Sequence, residues 1–221
     1  MPLSPNATMT CLPPTFPAAF AFPAYLAAPA QAVADRLALG QLHPPFHTFS
    51  VFLNGEELII PKRVYYAAPL LWAATPADGV EGLIALCLGT RHHDGFVREH
   101  CVRRLLGVRE DWIIPFVVQL VGEYVSQIVS AIEAALPELD GAAYGAFLRE
   151  NPRFLATTER RVASYWYAYA QTGYRERGAE PGSRVIAAFK RMAASGASSL
   201  TIPPSSTALE LPCPSTTNSK N

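Results

Sequence analysis

The spacing of hydrophobic residues changes character along the chain, and each change predicts a different element. Residues 49–53, Phe-Ser-Val-Phe-Leu, and residues 56–60, Glu-Glu-Leu-Ile-Ile, are two β-rich runs. They are joined by Asn54 and Gly55, the dipeptide best suited to the positive φ angles of a type I′ turn. The pattern predicts a β-hairpin, closed by Pro61 because proline cannot donate to a strand ladder. From residue 78 the period becomes helical. Val80, Leu83, Ile84, Cys87 and Leu88 share one face, and Phe96, Val97, Cys101, Val102, Leu105 and Leu106 share another, which Asp94 can cap and Gly107 can stop. These predict an antiparallel helix pair. A third, nearly all-apolar helix is expected over residues 111–136. Its exception is Gln119, Glu123, Ser126, Ser130 and Glu133, spaced by threes and fours as one narrow polar stripe. Further helices are expected after Asp140, through Phe154, Leu155, Thr158, Val162, Tyr165, Trp166 and Tyr169, and after Pro181. The predicted class is mainly α, about five helices with an N-terminal β-hairpin.

Composition sets the expected limits of this domain. Half of the 221 residues are hydrophobic, enough to fold around a core. Thirty-two of the 36 charged side chains fall in residues 49–194, whereas nine of the 20 prolines precede residue 49. Charge-poor Pro/Ala/Ser/Thr sequence buries itself poorly, so residues 1–45 and 195–221 are expected to be largely disordered tails around a domain at 46–194. A short helix at residues 31–39 is able to dock on that domain, and removal of residues 1–28 and 200–221 is expected to leave the melting temperature nearly unchanged.

Charge and apolar run length exclude several classes. Eighteen basic and 18 acidic side chains leave no net charge, which argues against a protein built mainly to grip nucleic acid or an anionic membrane. No stretch approaches 18 uninterrupted apolar residues, so no membrane span is expected. The N-terminus lacks the basic start of an export signal and is interrupted by Pro13, Pro14, Pro17, Pro23 and Pro29. Cys11, Cys87, Cys101 and Cys213 match neither a disulfide framework nor a zinc-knuckle spacing, and a cytoplasmic protein with reduced thiols is expected.

The densest polar cluster is Thr90-Arg91-His92-His93-Asp94-Gly95. Neutral imidazole and carboxylate together can hold a divalent cation. The adjacent His93 and Asp94 resemble the central dyad of HD-type metal-dependent phosphohydrolases, which implies a metal site with His43 or His47 before it and Asp111 or Asp140 after it, and His92, His93 and Asp94 as catalytic residues. The dyad departs from that family by standing at a helix start rather than inside a helix. The competing reading takes Asp94 as the N-cap of the second helix and His92 and His93 as loop residues, with no metal.

The same stretch carries a second resemblance. Leu83-Ile84 with Leu86-Cys87-Leu88, then Asp94-Gly-Phe-Val-Arg98, Cys101 and Leu105, resembles one HEAT-type helical hairpin over residues 80–107. That implies a protein-binding helical scaffold in which Asp94 and Arg98 brace neighbouring elements. One repeat is fewer than the three a stable solenoid needs, so a HEAT-like hairpin within a small helical domain is expected. The wider 49–194 pattern resembles bacterial proteins with no assigned activity.

Glu123 and Gln119 admit two readings: a buried carboxylate acting as acid or base, or, with Ser126, Ser130 and Glu133, a solvated or interfacial face. Arg149, Arg153, Arg160 and Arg161, followed by Tyr165, Trp166, Tyr167 and Tyr169, mix basic and aromatic side chains as single-stranded nucleic-acid sites do, but the neutral domain argues against that partner. No nucleophile elbow, Walker loop or dinucleotide fingerprint is present. The expectation is a protein–protein interaction or scaffolding module, more an interaction protein than an enzyme. Its partner would be an unidentified protein, with no cofactor and no membrane. The expected binding residues are Arg98, Gln119, Glu123, Ser126, Ser130 and Glu133, supplemented by the free edge of the hairpin.

Overall fold

The structure is a computed structural model describing residues 18–38, 47–75, 79–170 and 180–195, with the backbone alone at 166–170. The described chain is mainly helical with one two-stranded antiparallel sheet. Of the expected tails at 1–45 and 195–221, residues 1–17, 39–45 with His43, and 196–221 lie outside the described residues. Among the described residues no helix is long and apolar enough to cross a membrane.

Strands β1 (Thr48–Leu53) and β2 (Glu56–Pro61) pair with Leu53 opposite Glu56, so the turn has two residues. Asn54 and Gly55 have φ of 53° and 84°, the two positive angles a type I′ turn requires. Val51, Leu53, Leu58 and Ile60 face the core. The hairpin is held from outside by α7 (Gly141–Glu150): the Glu150 carboxylate accepts from the backbone N–H groups of Asn54 at 3.0 Å and Gly55 at 2.7 Å. Asn151, which ends α7 before Pro152, pairs its side-chain amide with β1 as a third strand would. It accepts from Phe52 N and donates to Phe52 O, both at 2.7 Å. The edge of β1 expected to be free is therefore occupied at Phe52.

The segment from residue 18 onward, expected to belong to a tail apart from a short docking helix at 31–39, is part of the core, and that helix is present through Ala38. Two short 3-10 turns, Ala18–Ala21 and Ala24–Leu26, lead into α1 (Ala27–Ala38), whose Ala30, Val33, Ala34 and Leu37 are buried. Phe22 is 1% exposed, stacked on Phe116 at 5.3 Å between ring centroids and edge-on to Trp112 at 5.7 Å. The physical reason is that an alanine-rich, charge-poor stretch has the composition of a buried helix as well as that of a tail. Small side chains allow close approach, and one aromatic supplies the anchor.

Helix α2 (Ala68–Ala74), absent from the sequence reading, is followed by α3 (Val80–Gly89) and α4 (Gly95–Leu105), which pack on each other as expected. The single helix expected over 111–136 is broken. A 3-10 turn at Asp111–Ile113 opens α5 (Ile114–Val121), every residue of which is buried, and α6 (Ser126–Ala135) begins only after Gly122–Val125. Around α5 pack α7, α8 (Pro152–Ala170) and α9 (Pro181–Ser195), the last presenting Val185, Ile186, Ala188 and Phe189 inward.

If residues 18–38 belong to the core, Phe22→Ala should cost about 3–5 kcal/mol of stability, read as a lowered denaturant midpoint at unchanged m-value. A cost below about 1 kcal/mol would mean that this segment does not dock.

Candidate functional site

The break after α5 turns the Glu123 side chain inward, and three arginines from other parts of the chain converge on it. Burying a carboxylate is costly unless cations and donors meet it. After β2 the chain runs alongside the α3–α4 connection, with Val64 N donating to Arg91 O at 2.9 Å and His93 N donating to Val64 O at 3.0 Å. That brings Arg63 beside Arg91, and Arg98 stands in the first turn of α4. Arg63 Nη1 donates to Glu123 Oε1 at 2.7 Å, Arg91 Nη1 lies 3.3 Å from the same oxygen, and Arg98 Nε lies 2.8 Å from Oε2. The side chains of Arg91, Arg98 and Glu123 are 0%, 1% and 5% exposed, and that of Arg63 is 31% exposed.

Three guanidinium groups thus share one carboxylate. Arg98 Nη1 also donates to the carbonyls of His92 (2.9 Å) and His93 (2.8 Å), and Arg91 Nε donates to Thr90 Oγ1. Arg91 Nη2, Arg98 Nη2 and Gln119 Oε1 are buried without a hydrogen-bond partner, and the contacts of Arg91 Nη1 and Arg98 Nε with Glu123 lack hydrogen-bond alignment. Burial pulls the Arg91 pKa down to about 10, against the opposing pull of Glu123 and with the help of Arg63 and Arg98, so Arg91 stays charged at neutral pH. A cavity of about 20 Å³, lined by Glu123 together with Ser126, Val129, Val162 and Tyr165 among others, is too small for an organic substrate.

The His-rich connection is engaged by backbone. The Asp94 N–H donates to His92 Nδ1 at 3.1 Å, which fixes that nitrogen as the acceptor, so Nε2 carries the proton it shares with Tyr66 O at 2.8 Å. Burial lowers the His92 pKa, in keeping with a neutral ring. His93 is exposed, stacks on Tyr65 at 5.3 Å between ring centroids and lies tilted against His92 at 4.3 Å. Asp94 caps α4 by accepting from Phe96 N at 2.8 Å. Among the described residues, no group of three or more His, Cys, Asp or Glu side chains is placed to hold a metal ion. Cys87 and Cys101 are buried free thiols whose pKa values burial raises, that of Cys101 to about 12, which leaves neither as a nucleophile.

The polar stripe is divided by the α5–α6 break. Gln119 and Glu123 are buried at 4% and 6% exposure, and Ser126 and Glu133 are half-buried. Ser130 is exposed, and Glu133 pairs with Arg184 of α9, Nη2 to Oε2 at 3.0 Å. The helical period that aligned the five stops at Val121, so they share no face. Of the expected binding residues, Arg98 and Glu123 meet, and Arg63 and Arg91 join them from outside the set. The four arginines considered for nucleic acid are dispersed: Arg149 donates to Ala193 O at 3.1 Å, Arg153 and Arg160 are exposed on α8, and Arg161 lies against Gly122. The side chains of Trp166, Tyr167 and Tyr169 lie outside the described residues. Comparison with protein-family models, curated proteins and solved structures finds no match.

Three outcomes follow from this geometry. Glu123→Gln leaves three guanidinium groups without a counter-charge and should cost about 3–5 kcal/mol, a fall of about 10 °C or more in melting temperature. Glu81→Gln, at the exposed Arg36–Glu81 pair, should cost below about 1 kcal/mol. Unfolded, His92 titrates near 6.5, and in the fold its pKa is lower. Its contribution is therefore complete above about pH 6.5 and is lost as pH falls below that value. The melting temperature should drop between about pH 7.5 and 5.5, and His92→Gln, less stable throughout, should show a shallower dependence; an unchanged slope in the variant would exclude His92 as the titrating group.

Proposed function

We propose that this protein is a protein-binding module whose contact face lies over the arginine–glutamate cluster. The observation that carries the reading is the placement of two large exposed aromatics on the segments that build the cluster: Phe96, 84% exposed in the first turn of α4, and Tyr124, 62% exposed in the α5–α6 break. They flank the approach of Gly95 to Val125, where a Cβ on Gly95 would be in ordinary van der Waals contact with Val125 Cγ2 at 3.5 Å. Exposed aromatics on rigid, ordered backbone are the usual anchors of protein interfaces. The stacked Tyr65 and His93 extend the same region. The resemblance of residues 80–107 to a HEAT-type hairpin agrees with this use of the α3–α4 pair. In that resemblance Asp94 and Arg98 brace neighbouring elements, and here Asp94 caps its own helix and Arg98 meets Glu123.

The test is purification of the full tagged chain from its own cells, with size and stoichiometry measured on the complex and again after reconstitution from separated components. Phe96→Ser and Tyr124→Ser should weaken the complex strongly, and Phe96→Ser, a change at an exposed site, should leave the melting temperature nearly unchanged. A complex that survives both substitutions places the contact face elsewhere.

A further inference from the structure

Among the three guanidinium groups around Glu123, Arg63 alone reaches the surface, and only one side of its fork is in use. Its Nη1 donates to Lys62 O at 2.8 Å and to Glu123 Oε1 at 2.7 Å, which fixes the plane of the group. The opposite edge, Nε and Nη2, makes no hydrogen bond to the described residues. That edge carries two parallel N–H donors at the spacing of the two oxygens of a carboxylate. Behind it, Arg91 and Arg98 are buried with Nη2 unpartnered in each, so positive charge exceeds negative in a site largely removed from water. An incoming anion would be favoured by that excess as well as by the fork itself.

We propose that the Nε–Nη2 edge of Arg63 receives a carboxylate of the partner protein, an Asp or Glu side chain adjoining an apolar residue that packs on Phe96 and Tyr124. The proposal rests on the reading of this face as a protein-binding surface. A carboxylate is favoured over a polyphosphate chain because Asp94 is exposed and Glu99 half-buried beside the aromatics, and the whole chain has no net positive charge to hold a polyanion.

The experiment uses the full chain and three probes at constant ionic strength: 3-phenylpropionate, which carries a carboxylate and an aromatic ring; its neutral amide, 3-phenylpropionamide; and inorganic phosphate. Binding is read from NMR shifts of the arginine Nε–H and Phe96 signals. The carboxylate should give a saturable shift at both positions and the amide should give none. Arg63→Lys, which keeps a cation beside Glu123 but loses the fork, should weaken carboxylate binding at least about tenfold, whereas Arg36→Lys should not change it. Equal affinity in Arg63→Lys, equal binding of the amide, or tighter saturable binding of phosphate overturns the proposal. The two readings fail separately. If Arg63→Lys weakens the probe while Phe96→Ser leaves the protein complex intact, the protein-binding face is wrong and the anion edge stands. If Phe96→Ser dissolves the complex but Arg63→Lys alters neither complex nor probe, the face stands and the assignment of Arg63 falls.

Discussion

A carboxylate drawn out of water must be met by charge and donors, and much of this fold follows from meeting that demand at Glu123. The three arginines that surround it come from the exit of the hairpin, the α3–α4 connection and the first turn of α4. Glu123 itself comes from the break between α5 and α6. Only the α3–α4 connection and the first turn of α4 are contiguous in sequence, and the backbone joins the hairpin exit to them through the short Val64 bridge. A buried ion pair adds little over well-packed apolar side chains, but it penalises every arrangement that leaves a charge alone. The cluster therefore acts less as a store of stability than as a selector of one mutual placement for hairpin, helix pair and central helix.

The same demand explains why the third helix is not continuous. Gly122 has weak helix propensity and no side chain, and a Cβ there would come within 3.2 Å of Arg161 Cδ. Leaving the helix at that point costs few hydrogen bonds and frees four residues to turn Glu123 toward the arginines. His92 plays a parallel part across the cluster, its ring spanning Tyr66 O and Asp94 N and so tying the strand exit to the start of α4.

Elements whose signals are local were legible in the sequence: the Asn54-Gly55 turn, the Asp94 and Asp140 caps, the α3–α4 pair, and α9 after Pro181. What failed were inferences from composition and from extended periodicity. Residues 18–30 read as tail because the charges that mark a soluble helix surface are scarce there, yet Phe22 and Ala30 pack inward, whereas the docking helix expected from residue 31 is the C-terminal part of α1. The stripe from Gln119 to Glu133 had helical spacing throughout, and spacing alone does not reveal a break whose cause is a distant ion pair. Glu123 was singled out as a carboxylate in the most apolar stretch, able to act as an acid or base or to belong to an interfacial stripe, but nothing local distinguishes Arg63 and Arg91 from the other arginines. Their selection is tertiary, set by the Val64 bridge that lays one segment against the other.

The exposed aromatics follow from the buried charges. In an irregular segment of four residues, a side chain held inward sends its neighbour outward, so burying Glu123 at 6% exposure leaves Tyr124 at 62%. Across the cluster, His92 is locked inward, His93 and Asp94 turn to solvent, and the cap made by Asp94 begins α4 with Phe96 facing out at 84% exposure. An exposed ring on a free loop loses conformational freedom when it binds, whereas a ring whose backbone is already fixed by internal ion pairs loses much less. On the proposed reading of this face as a binding surface, the cluster beneath it reduces the entropy cost of association. That supplies a physical reason for the chain to keep two large apolar rings in water beside its most costly buried charges.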